Sequence, residues 1–223
     1  MKNIEDYLRR NILIAGTTRS GKSAFMETFV VELVRKYSPD EARLLIIDPK
    51  RVQFSYFNEV PHLLRPVVYE VEAAEAALRD IWQEVLARLR SQQKDSMPTV
   101  TVVIDEIAEA MVNNPTVFEE LIEKITACSS FSRIYVVLAT SRPDGAVILT
   151  PRLRTCFPER LIFRIKHPDD AQMLMGDDRA TALTQPGSAY WCDIRSNMIN
   201  LVSVPHIGSE DREAAVRKMV QLK

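Results

Sequence analysis

The 223-residue sequence predicts an α/β fold in which a mostly parallel central sheet carries helices on both faces. Three observations carry that prediction. The pattern GxxxxGK[ST] is met without a gap by Gly16-Thr17-Thr18-Arg19-Ser20-Gly21-Lys22-Ser23, between an apolar strand segment and a helical segment. The apolar run at 99–104 shows no alternation, as expected of a strand buried on both faces. Strand and helix patterns then follow one another along the chain, which implies right-handed crossovers and a parallel sheet.

Taken in order, residues 1–10 read as an N-terminal arm, with 3–10 forming a short helix or arm too short to be a domain. Residues 12–15 form the first buried strand. Residues 24–36 repeat apolar side chains at helical spacing, with Phe25, Phe29 and Leu33 flanked by Met26 and Val30. Ser38-Pro39-Asp40 marks a turn, 44–47 a second strand ending at Asp48-Pro49-Lys50-Arg51, and 52–66 an irregular stretch. A brief strand is expected at 67–69 and a long amphipathic helix over 73–89, with Ala77, Leu78, Ile81, Val85 and Leu89 on one face. The run at 99–104 ends in Asp105-Glu106; a helix over 116–128 leads to a strand over 134–139, which ends in Thr140-Ser141-Arg142-Pro143. A loop carrying Pro151-Arg152-Leu153-Arg154 precedes a strand over 160–165. Short helices follow at 171–175 and 179–183. Strands at 188–192 and 198–202 read as a C-terminal β-hairpin at the sheet edge, and 204–223 holds a terminal helix over 210–222. The chain therefore divides into the arm, one α/β domain over 11–203, and the C-terminal helix.

Composition excludes several classes. Basic and acidic residues balance at 29 and 30, so affinity for nucleic acid has to come from a local patch. Three cysteines far apart and three histidines without ligand spacing argue against a disulfide framework and a zinc site. No apolar run approaches the roughly 20 residues that span a bilayer, and no signal-peptide core opens the chain. These features predict a cytoplasmic protein with no membrane segment of its own.

The glycine-bounded loop binds polyphosphate because its backbone N–H groups can wrap the anion, and the helix that follows adds a favourable dipole. The phosphate-binding set is Gly16, Thr17, Thr18, Arg19, Ser20, Gly21, Lys22, Ser23 and Ala24. Lys22 supplies positive charge to the terminal phosphates, and the Ser23 hydroxyl is a Mg²⁺ ligand. Ligand sites in open α/β sheets lie beyond the carboxyl ends of the strands. Asp105 is placed there to hold Mg²⁺, Glu106 to act as general base on an attacking water, and Ser141 to sense the γ-phosphate. Two adjacent acids after a buried strand favour an ATPase over a kinase or GTPase. Asp48 and Lys50 read equally as a structural ion pair or as ligand contacts.

In order and spacing, the segments LIAGTTRSGKS, LLIIDPKRVQFSYFNEVPHLLRPVV, VVIDEIAEAM, VVLATSRPD and FPERLIFRI resemble the motor core of the FtsK/SpoIIIE family of double-stranded DNA translocases, over residues 11–192. Asp48-Pro49-Lys50-Arg51 with Pro61-His62-Leu63-Leu64 is the most specific part. The resemblance implies a RecA-like P-loop core, ATP with Mg²⁺, and a homo-oligomeric ring, a hexamer, that moves double-stranded DNA without sequence preference. Chromosome segregation, conjugative transfer and viral genome packaging are the roles it covers, with a membrane-bound or capsid partner as an option. It also implies an arginine acting in trans on the neighbouring subunit's site, with Arg133, Arg142 and Arg160 as candidates, and phosphate contacts from Arg152, Arg154 and Lys166.

The chain departs from the family pattern at Arg19, where a glycine is usual, at Ser141, where glutamine is usual, and at Ser130, where the trans arginine is usual. The family's membrane anchor, linker and winged-helix module have no counterpart in these 223 residues. Two other readings remain open at this point, a protein-pumping ATPase of the type VII secretion kind and a nucleotide-dependent assembly module that does not hydrolyse.

Overall fold

The computed structural model describes residues 7–51, 53–92, 96–144, 148–204 and 206–221. Residues 1–6 of the expected arm and residues 205, 222 and 223 of the expected C-terminal segment lie outside them. The strands are β1 (Ile12–Ala15), β2 (Ala42–Ile47), β3 (Thr99–Asp105), β4 (Ile134–Thr140), β5 (Glu159–Ile162), β6 (Ser188–Asp193) and β7 (Met198–Ser203). The helices are α1 (Lys22–Lys36), α2 (Val71–Arg90), α3 (Ala108–Asn113), α4 (Pro115–Ala127), α5 (Ser129–Ser132), α6 (Pro151–Thr155), α7 (Pro168–Met175) and α8 (Ser209–Gln221).

The seven strands form one sheet in the order β2-β3-β4-β1-β5-β6-β7, parallel from β2 to β5 and antiparallel through β6 and β7. Successive strand residues feed opposite faces, as the pleat requires. Leu13, Leu45, Val102 and Leu138 join the core beneath α2 and α4, whereas Ile14, Ile46, Val103 and Val137 join the core beneath α1 and α8. This two-sided burial explains the unbroken apolar runs. Because β4 stands between β1 and β3, the phosphate loop after β1 and the acids after β3 flank Thr140 and Ser141.

Four expectations are corrected. The 67–69 strand is a single bridge, Val68 with Ile47, accompanied by a second bridge of Leu63 with Leu44. Pro66 lies between them and has no N–H to continue a ladder. The strand expected over 160–165 stops at Ile162, since β1 leaves the sheet at Ala15 and the carbonyl of Arg164 is taken by the N–H of Thr17 in the phosphate loop at 2.9 Å. The segment of Arg152 and Arg154 is a helix and not a loop, because Pro151 opens it and the Thr150 hydroxyl caps the N–H of Leu153. Finally, α3 interrupts the stretch after β3, ahead of a helix that starts at Pro115.

Candidate nucleotide site

The phosphate loop takes its shape from steric necessity at two glycines. A Cβ on Gly16 would lie 2.6 Å from Cβ of Phe163, and one on Gly21, at φ +103°, would lie 2.5 Å from the backbone nitrogen of Gly187. The Pro186-Gly187 turn therefore backs the loop, and the N–H of Gly187 donates to the carbonyl of Ser20 at 2.9 Å. Gly21 offers no side-chain cap to α1, so the N–H groups of Lys22, Ser23 and Ala24 in its first turn keep no intrahelical acceptor. All three residues line a cleft of about 380 Å³ together with Lys50, Asp105, Glu106 and Ser141. Free N–H groups, a buried ammonium and a glycine cradle form the donor set that a polyphosphate needs.

Two lysine–carboxylate pairs occupy the cleft. Lys22 Nζ stands 3.0 Å from Oδ1 of Asp105, both side chains being buried. Burial pushes the Asp105 carboxyl above its ordinary value; Lys22 opposes this, while Asp48 and Glu106 reinforce it. Lys50 Nζ stands 2.9 Å from Oε2 of Glu106. Burial alone would raise the Glu106 carboxyl, yet Lys50, Ser141 and Thr140 outweigh it and hold the group below its ordinary value. The Thr140 hydroxyl donates to Oε1 at 2.8 Å, the Ser141 N–H reaches both oxygens at 3.1 and 3.0 Å, and the Ser141 hydroxyl donates to Oε2. Glu106 adopts φ +63°, and its N–H and that of Ile107 both donate to the Ala139 carbonyl. Glutamate is uncommon in the left-handed region, and the two N–H groups on one carbonyl hold this turn there.

The structure thus brings Gly16, Thr17, Thr18, Arg19, Ser20, Gly21, Lys22, Ser23 and Ala24 into one loop and helix start, next to Asp105, Glu106 and Ser141. Arg19 is exposed at the loop apex with φ +63°, the conformation for which glycine is suited. Ser23 and Asp105 match Mg²⁺, which accepts a hydroxyl and one carboxylate while keeping several waters.

The arginine candidates separate. Arg160 is 7% exposed, and its guanidinium donates to the carbonyls of Phe157, Arg154 and Leu174. Burial, with Arg154 nearby, lowers its pKa to about 10, still charged at neutral pH. It is committed within its own subunit, and this removes it from the trans set. Arg133 caps α5 at the opposite end of the sheet and donates to Thr99. Arg142 is exposed beside Ser141. Of the expected DNA contacts, Arg152 is paired with Glu123, and Arg154 donates to the Leu149 carbonyl at 2.7 Å. Lys166 is exposed without an ion-pair partner among the described residues.

Sequence reasoning missed Thr140 and the Pro186-Gly187 turn. Thr140 directly precedes Ser141 at a strand end, which was the available signal. Nothing local ties a turn 166 residues downstream to Gly21.

The sequence profile of the FtsK/SpoIIIE family matches residues 2–177. The chain belongs to the FtsK/SpoIIIE family. It is 30% identical over 231 residues to the DNA translocase FtsK of Leptospira interrogans serogroup Icterohaemorrhagiae serovar copenhageni, covering 93% of this chain and 24% of that protein. It spans about a quarter of the length of such curated relatives. Among solved structures, the pCW3 conjugation coupling protein TcpA in its monomer form with ATPγS superposes with a TM-score of 0.80 at 21% identity, over 96% of this chain and 65% of that one. The cytoplasmic domain of the type VII secretion ATPase EccC from Thermomonospora curvata gives 0.77 at 18% identity, over 94% and 28%. These likenesses establish the P-loop ATPase fold. No helix among the described residues is long and apolar enough to cross a membrane.

Proposed function

We propose that this domain hydrolyses ATP to ADP and phosphate and couples the reaction to translocation of double-stranded DNA, working as a homo-oligomeric ring, a hexamer. The observation that carries the hydrolytic part is Glu106, a buried carboxylate kept ionised by Lys50, Thr140 and Ser141 within the cleft that holds Lys22. An ionised, oriented carboxylate at that place is what a water-activating base requires. Lys22 and the N–H groups of α1 bind the phosphates, and Ser141 reports their state through its bond to Glu106. Ser23 and Asp105 would hold Mg²⁺, which would supply neutralising charge to the phosphate oxygens.

Family membership supports duplex DNA as the substrate that is moved, and relatives named for DNA translocation and conjugation support it further. Lys166, with exposed Arg164 close by in the chain, offers the freest positive charge for backbone phosphates, while Arg152 and Arg154 join only by leaving their present partners. Arg133 or Arg142 serves the adjoining subunit's site. Segregation, conjugation and genome packaging all use this chemistry, and a membrane-bound or capsid partner would anchor the ring.

The test is the ATPase rate with and without linear duplex DNA over a range of protein concentration. The expected result is hydrolysis that rises with duplex and more steeply than linearly with protein. Hydrolysis indifferent to duplex would shift the reading toward a protein-pumping ATPase, and no hydrolysis toward an assembly module.

A further inference from the structure

We propose that Lys50 is a specificity-determining residue that reads the γ-phosphate, its ammonium leaving Glu106 for the terminal phosphate of a bound nucleoside triphosphate. The inference rests on the nucleotide reading of the cleft. Its basis is the contrast between the two ion pairs. Lys22 and Asp105 are 7% and 4% exposed, so both partners are enclosed in the cleft wall. In the second pair Glu106 is 2% exposed but Lys50 is 41% exposed, so one partner is fixed and the other is free to swing.

The backbone beneath Lys50 is pinned. Oδ2 of the fully buried Asp48 accepts the N–H groups of Gln53 and Phe54 at 3.1 and 3.4 Å. Arg51 takes φ +57° with its N–H on the Asp48 carbonyl, and its guanidinium pairs with Glu70. A rigid base under a flexible four-carbon stem lets the ammonium exchange partners without moving the loop. Its destination lies in the same cleft, which Lys50 lines together with Lys22 and Ser23.

Charge decides the exchange. A terminal phosphate brings close to two negative charges and three acceptor oxygens, against one charge on a carboxylate that already accepts from Thr140 and Ser141. When Lys50 departs, those two residues keep Glu106 oriented and still favour its ionised form, while its interaction with the ammonium is lost. The base is thus released only when a triphosphate is present, whereas a diphosphate offers no terminal group at that place.

The experiment is a double-mutant cycle read by binding alone, with Mg²⁺ and either a non-hydrolysable ATP analogue or ADP, on the native chain, Glu106→Gln, Lys50→Met and the double variant. Glu106→Gln is expected to tighten the analogue about three- to tenfold, since Lys50 no longer has to leave a carboxylate, with ADP unchanged. Lys50→Met is expected to weaken the analogue about tenfold, again sparing ADP, and Glu106→Gln then gives no tightening. Lys50→Arg should recover part of the analogue affinity, which a purely structural role would not predict. Equal tightening by Glu106→Gln whatever stands at position 50, or equal changes for ADP and analogue, would overturn the inference while leaving the site itself intact. A native chain that binds neither nucleotide would remove the nucleotide reading and this inference with it. Thermal unfolding of each variant shows whether it is folded, and Lys50→Gln replaces Lys50→Met should that one fail.

Discussion

The two ends of the parallel sheet are both rich in polar groups, and they use them in opposite ways. At the carboxyl end, Lys22, Lys50, Asp105 and Glu106 face a cleft of about 380 Å³, Glu106 sits at φ +63°, and Oδ1 of Asp48 is buried without a hydrogen-bond partner among the described residues. At the amino end a larger cavity, about 680 Å³, is lined by Arg10, Asn11, Ser129, Tyr135 and Glu159. There Arg10 is paired with Glu159, and Asn11 ties three elements together through the Thr126 carbonyl, the Ser129 hydroxyl and the N–H of Val136. Size therefore does not mark the site. Charge held in unfavourable surroundings does, because buried carboxylates persist only where the surrounding fold over-determines them.

The contrast predicts that changes at the carboxyl end remove function with little loss of stability, and that changes at the other end do the reverse. The largest expected effect is Lys22→Ala, which removes the buried ammonium and should lower nucleotide affinity more than about a hundredfold by calorimetry or fluorescence titration. Unchanged affinity would erase the distinction between the two ends. Next, Glu106→Gln should retain nucleotide and lose turnover by about 10² to 10⁴, read as phosphate release. Arg160→Met, which strands three carbonyls, is expected to destabilise by about 3 kcal/mol in denaturant unfolding and to leave nucleotide affinity alone. Asn11→Ala should destabilise by about 1 to 2 kcal/mol, since it strands the Val136 N–H, again with native affinity. The smallest effect is Arg19→Gly, which relieves a left-handed residue and should change stability by about 1 kcal/mol or less, in the stabilising direction. A marked loss of nucleotide affinity in that variant would instead assign the guanidinium to the phosphates.

How far these assignments were readable from the chain follows the same division. The phosphate loop, Asp105 and Glu106 were legible because each sits within a few residues of the strand that presents it, and strand ends in α/β sheets converge on one edge. The β6–β7 hairpin was legible from two apolar stretches around a polar turn. The fate of the arginines was not. Arg160 and Arg142 look alike in sequence, and only the packing of Phe157, Leu174 and Arg154 around one of them buries its guanidinium and fills its donors. Lys50 was ambiguous for a related reason, since its partner lies 56 residues away on the neighbouring strand's end. The helix of Arg152 and Arg154 escaped notice because five residues are too few to show a period, although Thr150-Pro151 was a start signal in plain view.

A structure of the native chain with Mg²⁺ and a non-hydrolysable ATP analogue tests the central claim most directly, because it can place the triphosphate at either end of the sheet. The account predicts polyphosphate against the N–H groups of Lys22, Ser23 and Ala24, with Lys50 turned from Glu106 toward the terminal phosphate. Nucleotide seated instead in the cavity beside Arg10 and Asn11, or a cleft left unaltered by saturating analogue, would contradict it.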